Sequence, residues 1–371
     1  MRTGGRPGAL NKPRKRMEDL IKMKKKLAVF LVLVFALSLC AAGCGNSDKV
    51  TINVLNWGDY IDETLLEQFT EETGIEVNYQ TMATNEEMLV KLEASDCIYD
   101  VCFPSDYIIE RLIAKDLLHE LNKDNIPNLV NIDERFLDLD FDPENKYSVP
   151  YMWGTVGILY NTTMVDEPVT SWDILWDEKY GQQIFMYDSI RDTIGVALLK
   201  LGLSINTRDE ADIKAAETAL IEQKPLVLAY LGDNIKESMI NGDGALAVVY
   251  SGDAMWCIDP EEGNPDLDYA VPESGSNLWF DNIVIPKSSQ HTEEAEAFIN
   301  FLCDAEVAKI NTEYIGYSTP NKAALALLDE SYTENPIYNP PQELLDKCEI
   351  FHDLGDFINV YNDAWNNIKG Q

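Results

Sequence analysis

Between Thr51 and Lys115 the chain alternates period-two runs with helical periodicity, and this alternation constrains the fold more than any other feature. Thr51-Ile52-Asn53-Val54-Leu55 reads as a strand. Residues Asp62 to Thr73 read as a helix, with Ile61, Leu65, Leu66 and Phe69 on one face and Gly74 as its stop. Ile75, Val77 and Tyr79 alternate as a second strand, followed by a helix from Glu86 to Ala94. A third strand, Tyr99 to Phe103, and a helix from Asp106 to Lys115 complete the unit. Such β-α-β order implies a parallel sheet, because a parallel pair needs a crossover much longer than a hairpin. Parallel sheets bind ligands beyond the carboxyl ends of their strands, where Asn56–Tyr60 and Pro104–Tyr107 fall. Both loops are expected to face one crevice.

The pattern repeats more loosely from Thr155. Strands are expected at Val156–Tyr160, Ile184–Met186, Leu226–Tyr230 and Ala245–Val249, with helices at Thr193–Leu201 and Ala211–Ile221. Asp281–Pro286 reads as a further strand, Glu293–Leu302 as a helix and Phe357–Asn367 as a terminal helix. Two α/β units in 371 residues predict a hinged, two-lobed molecule with its ligand between the lobes.

Ahead of these elements, Lys24-Lys25-Lys26 precedes an apolar run, Leu27 to Leu39, and then Ala41-Ala42-Gly43-Cys44. Its 13 residues fall short of the roughly 20 that span a bilayer, so a cleaved export signal is expected. Cys44 sits as in a bacterial lipobox, which implies a lipidated mature N-terminus, although Ala41 stands where leucine is usual. The basic, Gly- and Pro-containing stretch before Met23 is an odd extension for a signal, and Met23 is the expected start. Removing residues 1–43 takes away 10 basic and 2 acidic residues and leaves a charge of −43, which excludes nucleic acid as a partner and favours cationic ligands. The five cysteines beyond Cys44 form no C-x-x-C pair, and the three histidines are scattered, so no metal or disulfide framework can be read.

Four loops combine aromatic and acidic side chains: Trp57-Gly58-Asp59-Tyr60, Ser105-Asp106-Tyr107, Asp188-Ser189-Ile190-Arg191-Asp192 and Trp279-Phe280-Asp281. Carboxylates pair with ammonium groups, and aromatic faces attract them by cation–π contact worth about 0.5 to 2 kcal/mol each. For any single loop a core or helix-capping role is the simpler reading.

Taken together, N-W-G-D-Y, F-P-S-D-Y, P-Y-M-W-G-T, S-W-x-x-L-W, Y-S-G-D-A and I-G-Y-S-T-P-N occur in this order. In this the sequence resembles the spermidine/putrescine-binding proteins of polyamine ABC transporters, from about Asn53 to Lys369. The resemblance implies a two-lobed periplasmic-binding-protein fold of type II, each lobe a mostly parallel sheet flanked by helices. Lobe 1 would comprise residues 50–155 and 278–325, and lobe 2 residues 156–277 and 326–371, after a spacer at 44–49. It implies a polyamine ligand, a permease partner, a monomeric receptor and no cofactor.

Residue by residue, the resemblance assigns Trp57, Asp59 and Tyr60 to a first aromatic-acid loop, with Gly58 in place of a polar residue. Ser105 and Tyr107 match a serine and an aromatic wall, Trp279 a platform, and Asp281 the principal amine partner. Asp192 matches a glutamate and Tyr317 a tyrosine. Ser189 stands where an aspartate is common, Tyr250 where a tryptophan is familiar, and Phe351 where a glutamine bonds the ligand, so one end of the site is less polar. Asp188 is a candidate substitute for the missing acid, and Arg191 is expected to position Asp188 and Asp192. Trp153, Trp172 and Trp176 are expected in the core.

Other ligands of the same fold stay open on residues alone: an amino acid would call for an arginine, and iron for clustered tyrosines and histidine. A sensor without transport is a further reading. A hydrolase is disfavoured, since Tyr250-Ser251-Gly252-Asp253 lacks the G-x-S-x-G elbow and no metal or phosphate motif is present.

Overall fold

The computed structural model describes residues 49–370. Cys44, the apolar run and the Met23 start lie outside the described residues. Among those described, no helix is long and apolar enough to cross a membrane.

Strand β1 (Thr51–Trp57) pairs in parallel with β2 (Glu76–Met82) and β3 (Val101–Cys102). Helices α1 (Thr64–Thr73), α2 (Asn85–Glu93) and α3 (Asp106–Ala114) connect and follow them. Gly74 ends α1 in the left-handed region at φ 77°, its N–H bonded to Thr70 O at 2.9 Å, a conformation glycine adopts without a Cβ penalty. The third strand is shorter than its sequence predicts, because beside it the Asp100 carboxylate replaces a backbone acceptor and takes the Asn53 N–H at 2.8 Å.

The main departure from expectation is β4 (Ser148–Asn161), a 14-residue strand buried along nearly its whole length. Burial on both faces removes the alternation that marks a strand in sequence. Pro150 also argues locally against one, and it is accommodated where the register shifts between Pro150 and Met152. Residues 148–155 pair antiparallel with β9 (Leu278–Val284), and residues 156–161 pair with β7 (Leu246–Tyr250) and β8 (Leu267–Ala270). Strands β5 (Ile184–Tyr187) and β6 (Val227–Leu231) extend the far side in parallel with β7. The order is β2-β1-β3-β9-β4-β7-β5-β6, with β8 also on β4. Two parallel groups, β1–β3 and β5–β7, are therefore joined through antiparallel β4 and β9.

Along the chain, α4 (Ile190–Lys200) and α5 (Glu210–Gln223) pack together, and α6 (Ile235–Ile240) and α7 (Ser251–Ile258) flank β7. Helices α8 (Thr292–Leu302) and α9 (Ala305–Ile315) follow β9, and α10 (Ile358–Gly370) closes the chain. Ile194, Leu198, Ile213, Leu220, Tyr361 and Trp365 form a separate core among α4, α5 and α10. Trp153 and Trp172 are buried, and Trp176 donates its indole N–H to Ala219 O at 2.7 Å, so all three pack rather than face the crevice.

Candidate ligand-binding site

Strand β9 runs through the region where its first residues were expected to be a loop. Trp279 and Asp281 therefore stand two apart on one face of a strand, both buried at 8% exposure. Pairing of β3 with β9 carries the turn after β3 onto this face, where Ser105 and Asp281 form an antiparallel bridge. Ser105 Oγ donates to Asp281 Oδ1 at 2.6 Å, and Tyr60 OH donates to Asp281 Oδ2 at 2.8 Å. Burial pushes the Asp281 carboxyl up to about 6, while the two hydroxyls hold it from rising further.

A second carboxylate lies at the start of α4. Ser189 caps this helix and donates to Asp192 Oδ2 at 2.5 Å, and Tyr250 OH donates to the same oxygen at 2.9 Å. Ser189 thus serves as a cap and as an anchor for Asp192, rather than as a charge. Burial raises the Asp192 carboxyl as well, against the pull of these hydroxyls.

A third carboxylate, Asp253, was not singled out by sequence reading. It lies in the first turn of α7 and accepts Tyr187 OH at 2.7 Å and Tyr317 OH at 3.0 Å. The Y-S-G-D-A motif held the signal, since its acid follows a strand and opens a helix.

Aromatic rings tie the three acids together. Tyr60 meets Tyr317 at 5.8 Å, Tyr317 meets Trp279 at 5.1 Å, Trp279 meets Tyr250 at 5.8 Å, and Tyr250 meets Tyr187 at 4.9 Å. The first three contacts are edge-to-face, a favoured geometry for paired rings. Burial lifts the phenols of Tyr60, Tyr187, Tyr250 and Tyr317 well above their ordinary range, so each stays a donor to its carboxylate. Two glycines make the approach possible. A Cβ on Gly252 would lie 2.1 Å from the Tyr317 ring, and one on Gly154 would lie 2.6 Å from Trp279. Gly252→Ala is expected to cost about 1–3 kcal/mol of stability by overpacking, read by urea unfolding. An unchanged midpoint would mean that Tyr317 moves aside freely.

At the other wall, Asn85 Nδ2 donates to Ser105 Oγ at 3.0 Å and to Tyr107 OH at 3.1 Å, a positioning role that sequence reading missed. Tyr107 meets Phe351 edge-on at 6.3 Å. Trp57 is half-buried, its indole N–H donated to Phe103 O at 2.8 Å, and Gly58 and Asp59 are exposed at the turn that follows, with Asp59 at φ 50°. Asp188 does not join the buried acids, because its half-exposed carboxylate pairs with Lys369 at 2.9 Å. Arg191 does not bond Asp188 or Asp192. Its guanidinium donates to His352 O, Ile205 O and Asn206 Oδ1 and lies 4.1 Å over the Phe351 ring. Among the described residues no group of three or more His, Cys, Asp or Glu is arranged to hold a metal ion.

The arrangement can do one kind of chemistry well: it presents buried carboxylates, each held by hydroxyl donors, between aromatic faces. Such an arrangement suits a small organic cation. The sequence profile of the bacterial extracellular solute-binding proteins matches residues 64–340, and the chain belongs to this family, which binds solutes and does not transform them. The spermidine/putrescine-binding periplasmic protein of Escherichia coli is 35% identical over 347 residues, covering 93% of this chain and 99% of that protein. The putrescine-binding periplasmic protein SpuD of Pseudomonas aeruginosa is 32% identical over 348 residues, covering 90% and 95%. The solved spermidine/putrescine ABC transporter substrate-binding protein PotD of Streptococcus pneumoniae superposes with a TM-score of 0.78 at 41% identity, covering 86% of this chain and 99% of that one.

Proposed function

We propose that this protein captures a linear polyamine, putrescine or spermidine, outside the cytoplasm and hands it to the permease of an ABC transporter. The observation that carries the reading is Asp281: a buried carboxylate held by Tyr60 and Ser105 beside the Trp279 ring, with no cation of the protein paired to it among the described residues. An ammonium supplies the missing charge, and Trp279, Tyr250 and Tyr317 supply apolar walls for the methylenes. Trp57, Asp59, Tyr60, Ser105, Tyr107 and Asp192 complete the assigned site, with Gly58, Ser189 and Phe351 at its margins. The names of the relatives point the same way.

Capture works by closure of lobe 1, residues 50–155 and 278–325, on lobe 2, residues 156–277 and 326–371. Contacts that cross between them support this: Tyr250 on Trp279, Tyr107 on Phe351, and Glu110, whose carboxylate accepts the Asp353 N–H at 2.7 Å and meets His352 Nδ1 at 2.6 Å. A lipid on Cys44 would keep the monomeric receptor at the membrane beside its permease.

A thermal-shift series with putrescine, cadaverine, spermidine and spermine tests the reading. A ligand at a hundred times its Kd adds about 2.7 kcal/mol to the stability of the native state, so at least one amine is expected to raise Tm by several degrees. No shift with any of the four would remove the proposal.

A further inference from the structure

Three carboxylates line the aromatic network, yet they are not equivalent. The side-chain hydrogen bonds to Asp281 and Asp192 come from neutral hydroxyls, of Ser105 and Tyr60 and of Ser189 and Tyr250, and the Arg191 charge acts on Asp192 without bonding it. Asp253 is different: Lys236 Nζ lies 3.4 Å from its Oδ1, while Tyr187 and Tyr317 donate to its two oxygens. Lys236 comes from α6, which packs directly on α7, the helix carrying Asp253. Its ammonium also stands 5.7 Å over the Trp256 ring. That combination of an acid and an aromatic face around one ammonium is what the site offers a ligand.

We propose that Lys236 is a tethered ammonium occupying the Asp253 subsite, so that the cleft is matched to a diamine and discriminates against a triamine. The inference rests on the polyamine reading and sharpens it. With Asp253 satisfied by Lys236, and the buried Asp106 taken by the backbone N–H groups of Tyr107 and Phe280, Asp192 and Asp281 are the acids left for ligand charges, one on the β5–β7 side of the sheet and one on β9. Burial works against the Lys236 ammonium, but Asp253 and Asp233 outweigh it and keep the group charged.

A second observation, independent of Lys236, agrees. At the end of the site near Phe351 the acids already have partners, Asp188 with Lys369, Glu110 with His352 and the Asp353 N–H, and Glu86 with the Tyr107 hydroxyl, and the Phe351 ring is covered by the Arg191 guanidinium at 4.1 Å. Arg191 is itself buried at 7% exposure, and its hydrogen bonds go to backbone and amide oxygens. A third ligand charge placed there would be desolvated beside the like charge of Arg191 and would have to compete for acids that already have partners.

Isothermal titration of the purified protein with putrescine and with spermidine, repeated on Lys236 variants, tests the assignment. The parent is expected to bind putrescine at least about tenfold more tightly than spermidine, the scale of one charged contact. Lys236→Met frees Asp253 and is expected to shift the ratio about tenfold towards spermidine, whereas Lys236→Arg, which keeps the charge, holds the parent's ratio. Melting curves report whether each variant is folded. Should the Met variant fail to fold, Lys236→Gln, which keeps a hydrogen bond to Asp253 without the charge, carries the same expectation. A parent that binds spermidine as tightly as putrescine, or a ratio unmoved by loss of the Lys236 charge, overturns the inference while leaving a polyamine receptor standing. Binding of neither amine by the parent removes the polyamine reading itself.

Discussion

Asp281→Asn is expected to weaken putrescine binding by about ten- to a hundredfold in isothermal titration, the range of about 1.5–3 kcal/mol for a hydrogen bond to a charged group. The substitution keeps the shape of the side chain and an acceptor for one of the two hydroxyls, and a hydroxyl can reverse to accept from the new amide. Folding should therefore survive. The empty protein gains from the change at neutral pH, because the buried carboxylate no longer has to ionise without a cation beside it. A site that binds a charge by holding its own opposite charge out of water trades stability for affinity. Unchanged affinity in the Asn variant would take Asp281 out of the site.

Putrescine affinity should fall as the pH is lowered through about 6, by about tenfold for each further unit, because the ammonium requires an ionised Asp281 whose carboxyl titrates near 6. The amines keep their charge throughout this range, so the loss belongs to the protein. The effect on stability has the opposite sense. A carboxyl raised in the folded state stabilises it most below the unfolded value near ~4, and that contribution disappears as the pH rises through about 6. The Tm of Asp281→Asn minus that of the parent should accordingly grow between pH 5 and pH 7.5 in the absence of ligand. Affinity that stays level down to pH 5 would mean either that Asp281 is already ionised in the free protein at that pH or that it carries no ligand charge.

Much of the fold is legible in the sequence because amphipathic elements announce their period. Helices α1 to α5 and α8 and strands β1, β2 and β5 to β7 appear within a few residues of where hydrophobic spacing puts them. Strand β4 was half hidden and β9 displaced, since both are buried on two faces and lose the alternation that a one-sided strand displays. Helices α6, α7 and α9 were missed. The first two are short, and α7 is apolar enough that its period blurs.

The candidate site was legible in a different way. Trp57, Tyr60, Tyr107, Asp192, Trp279, Asp281 and Tyr317 are expected ligand residues through the family resemblance, which says nothing of what each touches in this chain. Asp253 and Lys236 were not named. Their roles depend on a contact between α6 and α7 across the end of β7, and no local pattern encodes it. Asp188 and Arg191 show the converse: neighbours of Asp192 in sequence, they are turned by α4 towards Lys369 and towards Phe351.

The sequence by itself determined the α/β class, the acidic character and the set of aromatic and acidic residues, because composition and periodicity are properties of the chain alone. Only the tertiary structure decided which acids are left without a cation of their own. That depends on which side chains meet after strands far apart in sequence pair, Ser105 with Asp281 and Tyr250 with Asp192. Hydrogen bonds need contact distance and Coulomb energies weaken with distance, so the charge state of this cleft is set by packing.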